Sequence, residues 1–205
     1  EVVVTPEGTL MIGTREFVEE GENLFRELHG EARYAFQVDE AGNPTGMISD
    51  GFAVAQYFKA PWYTTAQGGG ALFGLSLVIF LGVLLRWFYQ RRIISGTSDD
   101  DRGAIRLSNW LALLNWMFIL VVGITVAVNA DSLFYEVPTM LKVSLVLPPV
   151  LIAGALYHAF KAVEVWRYGL LTGLWGRIRY TVVTLAMLFA AWFYYYWNLL
   201  GLNYF

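Results

Sequence analysis

Few side chains in this 205-residue chain could perform catalysis or bind a metal, because it has two histidines and no cysteine. His158, Lys161 and Glu164 follow one another at three-residue intervals near one end of a long apolar segment, a spacing that places them along one helix face. The pattern predicts a mutually paired polar cluster at the end of that helix. His29, next to Gly30, is predicted to be a surface turn residue.

Two alternatives for His158 remain open. It could be an axial ligand to a haem iron or a chlorophyll magnesium, or it could relay protons together with Glu164. A haem held by two histidines would need a second histidine in an apolar segment, and the chain has none there. We therefore predict no metal site and no resident cofactor, with pigment or haem binding by His158 as the alternative.

A second group of candidate contact residues is aromatic and consists of Trp192, Tyr194, Tyr195, Tyr196 and Trp197. The main interpretation is anchoring in the interfacial region of a bilayer, where amphipathic rings collect. The alternative is contact with a partner subunit, a pigment or lipid tails. Because consecutive residues point in different directions on a helix, at least one of the three tyrosines is expected to face protein.

The composition indicates a membrane protein. Hydrophobic residues make up 57% of the chain and charged residues 15%, and the mean hydropathy is +0.48. Soluble domains are about 45–50% apolar and about 25% charged, so this chain has too few charges to cover its apolar residues with a wettable surface. The net charge of −3 and the pI of about 5.4 exclude a basic nucleic-acid-binding protein.

Four segments are long and apolar enough to cross a bilayer, and they predict a bundle of four transmembrane helices over residues 71–89, 109–129, 138–163 and 180–200. Ser108 and Asn109 are predicted to cap the second helix, and Pro148 and Pro149 predict a kink in the third. Small residues suited to close helix contacts recur in these segments: Gly74, Gly82, Gly123, Gly154, Ala186, Ala190 and Ala191.

The basic residues predict the orientation of these spans. Lysine and arginine are concentrated between the first and second spans and between the third and fourth, whereas residues 130–137 and 201–205 contain none. The positive-inside rule therefore places both basic loops in the cytoplasm and both termini on the outer side. We expect a multi-pass protein of the bacterial cytoplasmic membrane.

Residues 1–67 read as a small antiparallel β-domain, joined by a glycine linker at 68–70 to the membrane domain at 71–205. Residues 1–68 carry four basic and eleven acidic side chains, a net charge of −7. About five strands are predicted, at 2–4, 9–12, 32–38, 45–48 and 52–59. In the third of these, period-2 alternation places Tyr34 and Phe36 on the same face.

An outer domain has to be exported, yet residues 1–68 contain no signal peptide, and residue 1 is Glu rather than Met. We therefore expect the chain to be a processed or partial product. A short cleaved signal and a larger missing domain both fit that expectation.

A set of motifs in the β-domain resembles a known segment: Phe36-Gln37-Val38-Asp39, Gly42, Gly46-Met47, Gly51-Phe52-Ala53 and Lys59-Ala60-Pro61-Trp62-Tyr63. Over about residues 1–65 the chain resembles the β-rich segment that follows the catalytic domain in serine β-lactamase-like, penicillin-binding-protein-like hydrolases. Some members of that group continue after a Pro-Trp element into several membrane helices, as this chain does. A generic β-meander is the alternative.

The resemblance brings no catalytic residue with it. Those hydrolases need a Ser-x-x-Lys nucleophile motif, and no serine in this chain precedes a lysine by three residues. Ser76, for example, is followed at that distance by Ile79. We predict that this chain is not an enzyme, and the question stays open for a longer precursor.

The leading hypothesis is a non-catalytic anchor or scaffold that packs against other integral membrane proteins and lipids, as an accessory subunit of a larger assembly of, for example, the respiratory or photosynthetic type. The alternative is the membrane-anchoring tail of an exported serine hydrolase acting on cell-wall peptides or related amides and esters.

Overall fold

The computed structural model describes residues 2–52, 56–90, 99–131, 135–171 and 173–200. The chain divides into two compact units, Glu1–Pro61 and Trp62–Phe205. The boundary therefore falls before the predicted glycine linker, and residues 68–70 belong to the first helix. At Gly68 and Gly69 the lack of a side chain serves packing: a Cβ there would collide with the carbonyl oxygen of Trp62 or of Tyr63, in the 3₁₀ turn Trp62–Thr64 that precedes the helix.

The N-terminal unit is one antiparallel sheet in which each strand pairs with the next along the chain. Its strands are β1 (Val2–Val4), β2 (Leu10–Ile12), β3 (Arg15–Gly21), β4 (Leu24–Glu27), β5 (Arg33–Val38), β6 (Pro44–Ser49) and β7 (Gln56–Phe58). The predicted antiparallel β-meander is confirmed, but its described part has seven strands rather than about five. The prediction for 52–59 was too long: Phe52 ends a 3₁₀ turn that begins at Asp50, and residues 53–55 lie outside the described part of the chain.

The hairpin of β3 and β4 was not predicted from the sequence. The strand β3 has acidic side chains among its apolar ones, which obscured its period-2 pattern. Its turn is made by Asn23, whose φ of 58° lies in the left-handed region that asparagine tolerates better than most residues.

The apolar face of the sheet centres on Phe17, which is the one apolar residue among residues 2–52 whose side chain is buried. Its ring meets that of Tyr34 edge to face at 5.2 Å, and Phe25 meets Phe36 in the same way at 5.4 Å. Tyr34 and Phe36 are both half-buried, which agrees with the predicted alternation in β5. His29 is an exposed turn residue, as predicted.

Asp39 organises the turn between β5 and β6. Its carboxylate accepts hydrogen bonds from the backbone N–H of Asn43 at 2.8 Å and of Ala41 at 3.0 Å. These bonds, with that from Asn43 as the largest contribution, lower the pKa of the Asp39 carboxyl below its usual value, because they stabilise the ionised form.

The second unit contains four helical segments long and apolar enough to cross a membrane. They are α1 (Ala66–Gln90), α2 (Asp99–Val128), the pair α3 (Thr139–Ser144) and α4 (Leu147–Arg167), and α5 (Leu174–Tyr196). The predicted number of helices long and apolar enough to span is confirmed among the described residues, but the helices extend past the apolar windows into polar flanks. Thus α2 begins at Asp99, and Ser108 and Asn109, predicted as caps, lie buried within it. Three aspartates in its first turn favour that earlier start, since they stabilise a helix N-terminus.

The predicted kink in the third span is present as a break between α3 and α4, before Pro148 and Pro149. Both prolines fall in the first turn of α4, where the missing N–H groups have no intrahelical partner in any case. The chain therefore resumes its helix at the position where proline costs least.

The small residues are divided between two environments. A Cβ at Gly154 of α4 would collide with Leu111 of α2, so this glycine permits close contact between the two helices. Ala186, Ala190 and Ala191 of α5 are buried in the same core. In contrast, a Cβ at Gly74, Gly82 or Gly123 would meet no atom of the described residues within 4 Å, so these three do not make the predicted close helix contacts within that part of the chain.

Candidate functional site

A polar cluster joins three helices inside the second unit. His158 of α4 has no exposed surface. Its Nε2 lies 2.8 Å from the Ser108 hydroxyl of α2, and its Nδ1 lies 2.9 Å from the Thr184 hydroxyl of α5. One imidazole thus connects α2, α4 and α5 through both of its nitrogens.

The two hydroxyls can also bond within their own helices. The Thr184 hydroxyl lies 2.8 Å from the Tyr180 carbonyl oxygen, and the Ser108 hydroxyl lies 3.1 Å from that of Ala104. A neutral imidazole has one donor and one acceptor nitrogen. We therefore assign the proton to Nδ1, which donates to Thr184, while Ser108 gives up its longer carbonyl bond and donates to Nε2. Every nitrogen of the ring is satisfied in this arrangement.

Tyr180 completes the cluster. Its ring stacks on His158 with 4.2 Å between centroids and 10° between planes. Tyr180 is itself buried, yet its hydroxyl has no hydrogen-bond partner among the described residues. The Ser108 side chain is the hydrogen-bonding group next to this hydroxyl, although the geometry falls short of a normal hydrogen bond.

The predicted cluster of His158 with Lys161 and Glu164 is only partly formed. Lys161 Nζ lies 2.6 Å from Glu164 Oε2, so these two residues pair as expected. His158 points instead into the bundle. The reason is helical geometry: each three-residue step leaves about 60° of rotation, so Glu164 lies about 120° around the helix from His158.

The alternative roles of His158 do not fit this geometry. Both ring nitrogens already face hydroxyl groups at hydrogen-bond distance, so ligation of a haem iron or a chlorophyll magnesium would require one bond to break. The hydrogen-bond partners of His158 are hydroxyls rather than Glu164, so a direct relay between the two residues is not formed. Among the described residues, no group of three or more potential metal ligands comes together.

The aromatic cluster at the end of α5 divides into inward and outward members. Tyr194 is fully buried, and its hydroxyl donates to Asn115 Oδ1 at 2.8 Å, so its predicted contact with lipid or a partner is wrong. Tyr195 and Tyr196 are exposed, as is Trp197, whereas Trp192 is half-buried. The expectation that one tyrosine faces protein is confirmed, and the buried Asn115 selects which one.

Sequence reasoning missed Ser108, Thr184 and Asn115 as interior polar residues. Their signal was present, since polar side chains in long apolar helices usually face the bundle interior. Asp101 of α2 was missed as well: it is buried, and its carboxylate accepts from the Leu171 backbone N–H at 2.7 Å.

Comparisons with protein-family models, curated proteins and solved structures gave no match to this chain. The resemblance of residues 1–65 to the β-rich tail of serine hydrolases therefore stays a hypothesis.

Proposed function

We propose that the chain is a non-catalytic membrane anchor and scaffold that packs as an accessory subunit in a larger membrane assembly. The observation that carries this proposal is the distribution of side chains in the second unit, where large apolar residues cover the outside and several polar residues are buried within the apolar interior. Such a surface suits hydrocarbon, and in hydrocarbon polar groups have to be satisfied within the protein.

The outward-facing side of the helices is strongly apolar. Large apolar side chains are exposed along every span, including Phe88, Met117, Phe160 and Leu185. An apolar surface of this extent on a soluble protein would be an aggregation hazard. It supports insertion in a bilayer. For the orientation we rely on the positive-inside rule, which would put the basic loops in the cytoplasm of a bacterial cell and both termini outside.

The inward-facing polar side chains are used to join helices. His158 connects three of them, Tyr194 of α5 bonds to Asn115 of α2, and the Trp116 indole of α2 donates to the Leu77 carbonyl oxygen of α1 at 3.2 Å. Groups bonded to one another in this way hold the bundle together. The arrangement therefore favours a structural role for the interior over a catalytic one.

Exposed aromatic side chains offer a surface for protein partners. Tyr195, 70% exposed, is adjacent in sequence to the fully buried Tyr194. A photo-crosslinking amino acid at position 195, in the full chain in its native membrane, should give a discrete adduct with another integral membrane protein. Crosslinks to lipid alone would contradict the accessory-subunit proposal, and release of the chain by alkaline carbonate would contradict membrane insertion.

A second candidate, the membrane tail of an exported serine hydrolase, is favoured by the thin core of the sheet. Within residues 2–52, Phe17 is the one apolar side chain that the sheet buries. A preceding catalytic domain packed on the sheet would supply the apolar contacts that so small a core lacks. The mass of the mature protein separates the candidates. A value near 23.2 kDa favours the scaffold, and a larger chain with an upstream Ser-x-x-Lys domain favours the hydrolase.

A further inference from the structure

An aromatic contact joins α1 and α2 at the basic end of the second unit. The rings of Trp87 in α1 and Trp110 in α2 lie 6.0 Å apart between centroids, with 54° between their planes. Trp110 is 55% exposed, so the pair is accessible from outside the bundle. Tryptophan near the end of a membrane helix is typical of the headgroup region, which suits both its apolar ring and its polar N–H. The pair therefore marks the level of lipid headgroups in the proposed membrane.

Arg106 of α2 lies one helical turn from Trp110, toward the start of the helix. It is exposed, and it forms no ion pair with a carboxylate in the part of the chain that the structure describes. The acidic side chains that begin α2 have other partners: Asp99 pairs with Arg102, and Asp101 accepts from a backbone N–H in the loop before α5. The guanidinium of Arg106 is therefore suited to an anion from outside the protein.

A stripe of exposed apolar side chains continues from Arg106 along α2. Trp110, Met117, Leu120 and Ile124 are each about half exposed. At about 100° of rotation per residue, all four lie within about 40° of Arg106 around the helix. Met117 lies about 16 Å from Arg106 along the axis, close to half of a hydrocarbon core of about 30 Å. The stripe therefore spans one leaflet, with the arginine at its headgroup end.

This order of groups along α2 matches the order of groups in a phospholipid. Arginine binds phosphate through two parallel N–H···O bonds, and the apolar stripe suits an acyl chain. Arg86, which precedes Trp87 in α1, adds a second positive charge beside the aromatic pair. A free phosphate would use the guanidinium but would gain nothing from the stripe, so a lipid fits this surface better than a soluble anion.

From these observations we propose that this face of α1 and α2 binds an anionic phospholipid of the phosphatidylglycerol type. The lipid phosphate accepts from the Arg106 guanidinium, and one acyl chain lies along the stripe from Trp110 to Ile124. Phosphatidylcholine has the same phosphate, but its trimethylammonium group is repelled by the arginines. The site deepens the anchor proposal and rests on the proposed membrane insertion.

Native mass spectrometry of the full chain in mild detergent, titrated with phosphatidylglycerol or phosphatidylcholine, tests this site. We expect about fivefold tighter binding of phosphatidylglycerol, the difference that one arginine makes at an anionic membrane surface. Equal affinities for the two lipids would overturn the proposal.

Arginine variants distinguish a defined site from diffuse charge. Arg106→Gln should reduce the preference for phosphatidylglycerol to less than about twofold. The matched control is Arg179→Gln, which removes an exposed arginine near the start of α5, at the same end of the bundle, that also forms no ion pair among the described residues. The control should keep the full preference. Equal losses in the two variants would reject the site.

Tryptophan variants test the aromatic pair in the same titration. Trp110→Leu should weaken the binding of phosphatidylglycerol, because it removes the ring that lies between the arginine and the rest of the stripe. Trp175→Leu is the control, at a ring that is 80% exposed at the start of α5, and it should leave the affinity unchanged. An equal or larger loss in the control would contradict the proposed location.

Soluble glycerophosphoglycerol distinguishes the source of the anion. At a concentration equal to that of the lipid it should leave the bound phosphatidylglycerol in place, whereas displacement would show a site for a soluble anion and overturn the lipid proposal. Carbonate extraction scores membrane insertion separately. A chain that stays in the membrane but shows no lipid preference contradicts the Arg106 site and leaves the anchor proposal standing.

Discussion

The two units of this chain both bury apolar side chains, but they differ in the polar groups that they bury and in the residues that they expose. In Glu1–Pro61 the ring of Phe17 is buried while Glu20 pairs with Arg33 on the surface. In Trp62–Phe205 the imidazole of His158 is buried while Phe160, two residues further on, is exposed. The hydrophobic effect explains the first arrangement, and the need to satisfy polar groups within hydrocarbon explains the second. The comparison teaches that the proposed solvent of each unit, rather than its secondary structure, determines which residues lie on its outside and whether its polar groups are satisfied by water or by one another.

The largest effect is expected in the sheet. Phe17→Ala should reduce the stability of this unit by about 3 kcal/mol, because it removes a buried ring from a core that contains little else. Hydrogen exchange of β3 to β5 in the full chain would measure the loss. Phe58→Ala, at a ring that is 69% exposed, is the control and should change little. Equal effects of the two changes would show that the sheet does not depend on its apolar face.

A smaller effect is expected at the polar centre of the helical unit. His158→Ala should destabilise the bundle by about 2 kcal/mol, through the cavity and the two lost hydrogen bonds. His158→Phe keeps a ring against Tyr180 and should cost about 1 kcal/mol, since interhelical hydrogen bonds in membranes are modest and both hydroxyls can bond to their own helix carbonyls. Unfolding in mixed detergent micelles compares the variants. If neither change destabilises the bundle, the polar interior does not hold the helices together.

The smallest effect concerns Asp39, on the exposed surface of the sheet unit. Since its pKa is lowered in the folded state, the ionised carboxylate stabilises the turn above the unfolded pKa, and that contribution disappears as the pH falls through the folded pKa. Exchange protection of the Asn43 amide should therefore fall on acidification below the ordinary pKa of an aspartate. In Asp39→Asn this acid dependence should be absent. Persistence of the dependence in the variant would assign it to another carboxyl group.

The sequence predicted the spans well because length and hydropathy are properties of a segment by itself. Helix ends were predicted less well: the fourth span begins at Leu174 rather than at 180, since an apolar window stops at charged residues such as Arg177 and Arg179 although the helix continues through them. The hairpin of β3 and β4 was missed for a related reason, as the acidic side chains in β3 hid its apolar alternation.

The candidate site was less predictable than the fold. The sequence singled out His158 but assigned it to the wrong neighbours, because the i, i+3 rule describes only contacts along one helix. Its actual partners, Ser108 and Thr184, lie 50 and 26 residues away in the chain. Such partners become visible only when the helices are packed.

The sequence by itself determined that this chain has an acidic, strand-rich first part and four long apolar segments, because composition and periodicity are local quantities. Tertiary structure alone decided that His158 faces inward while Lys161 pairs with Glu164 outside the core, and that Tyr194 rather than Tyr195 is buried. The physical reason is that a side chain's environment depends on the rotation and contact of neighbouring helices. Those quantities arise from interactions between residues far apart in the chain.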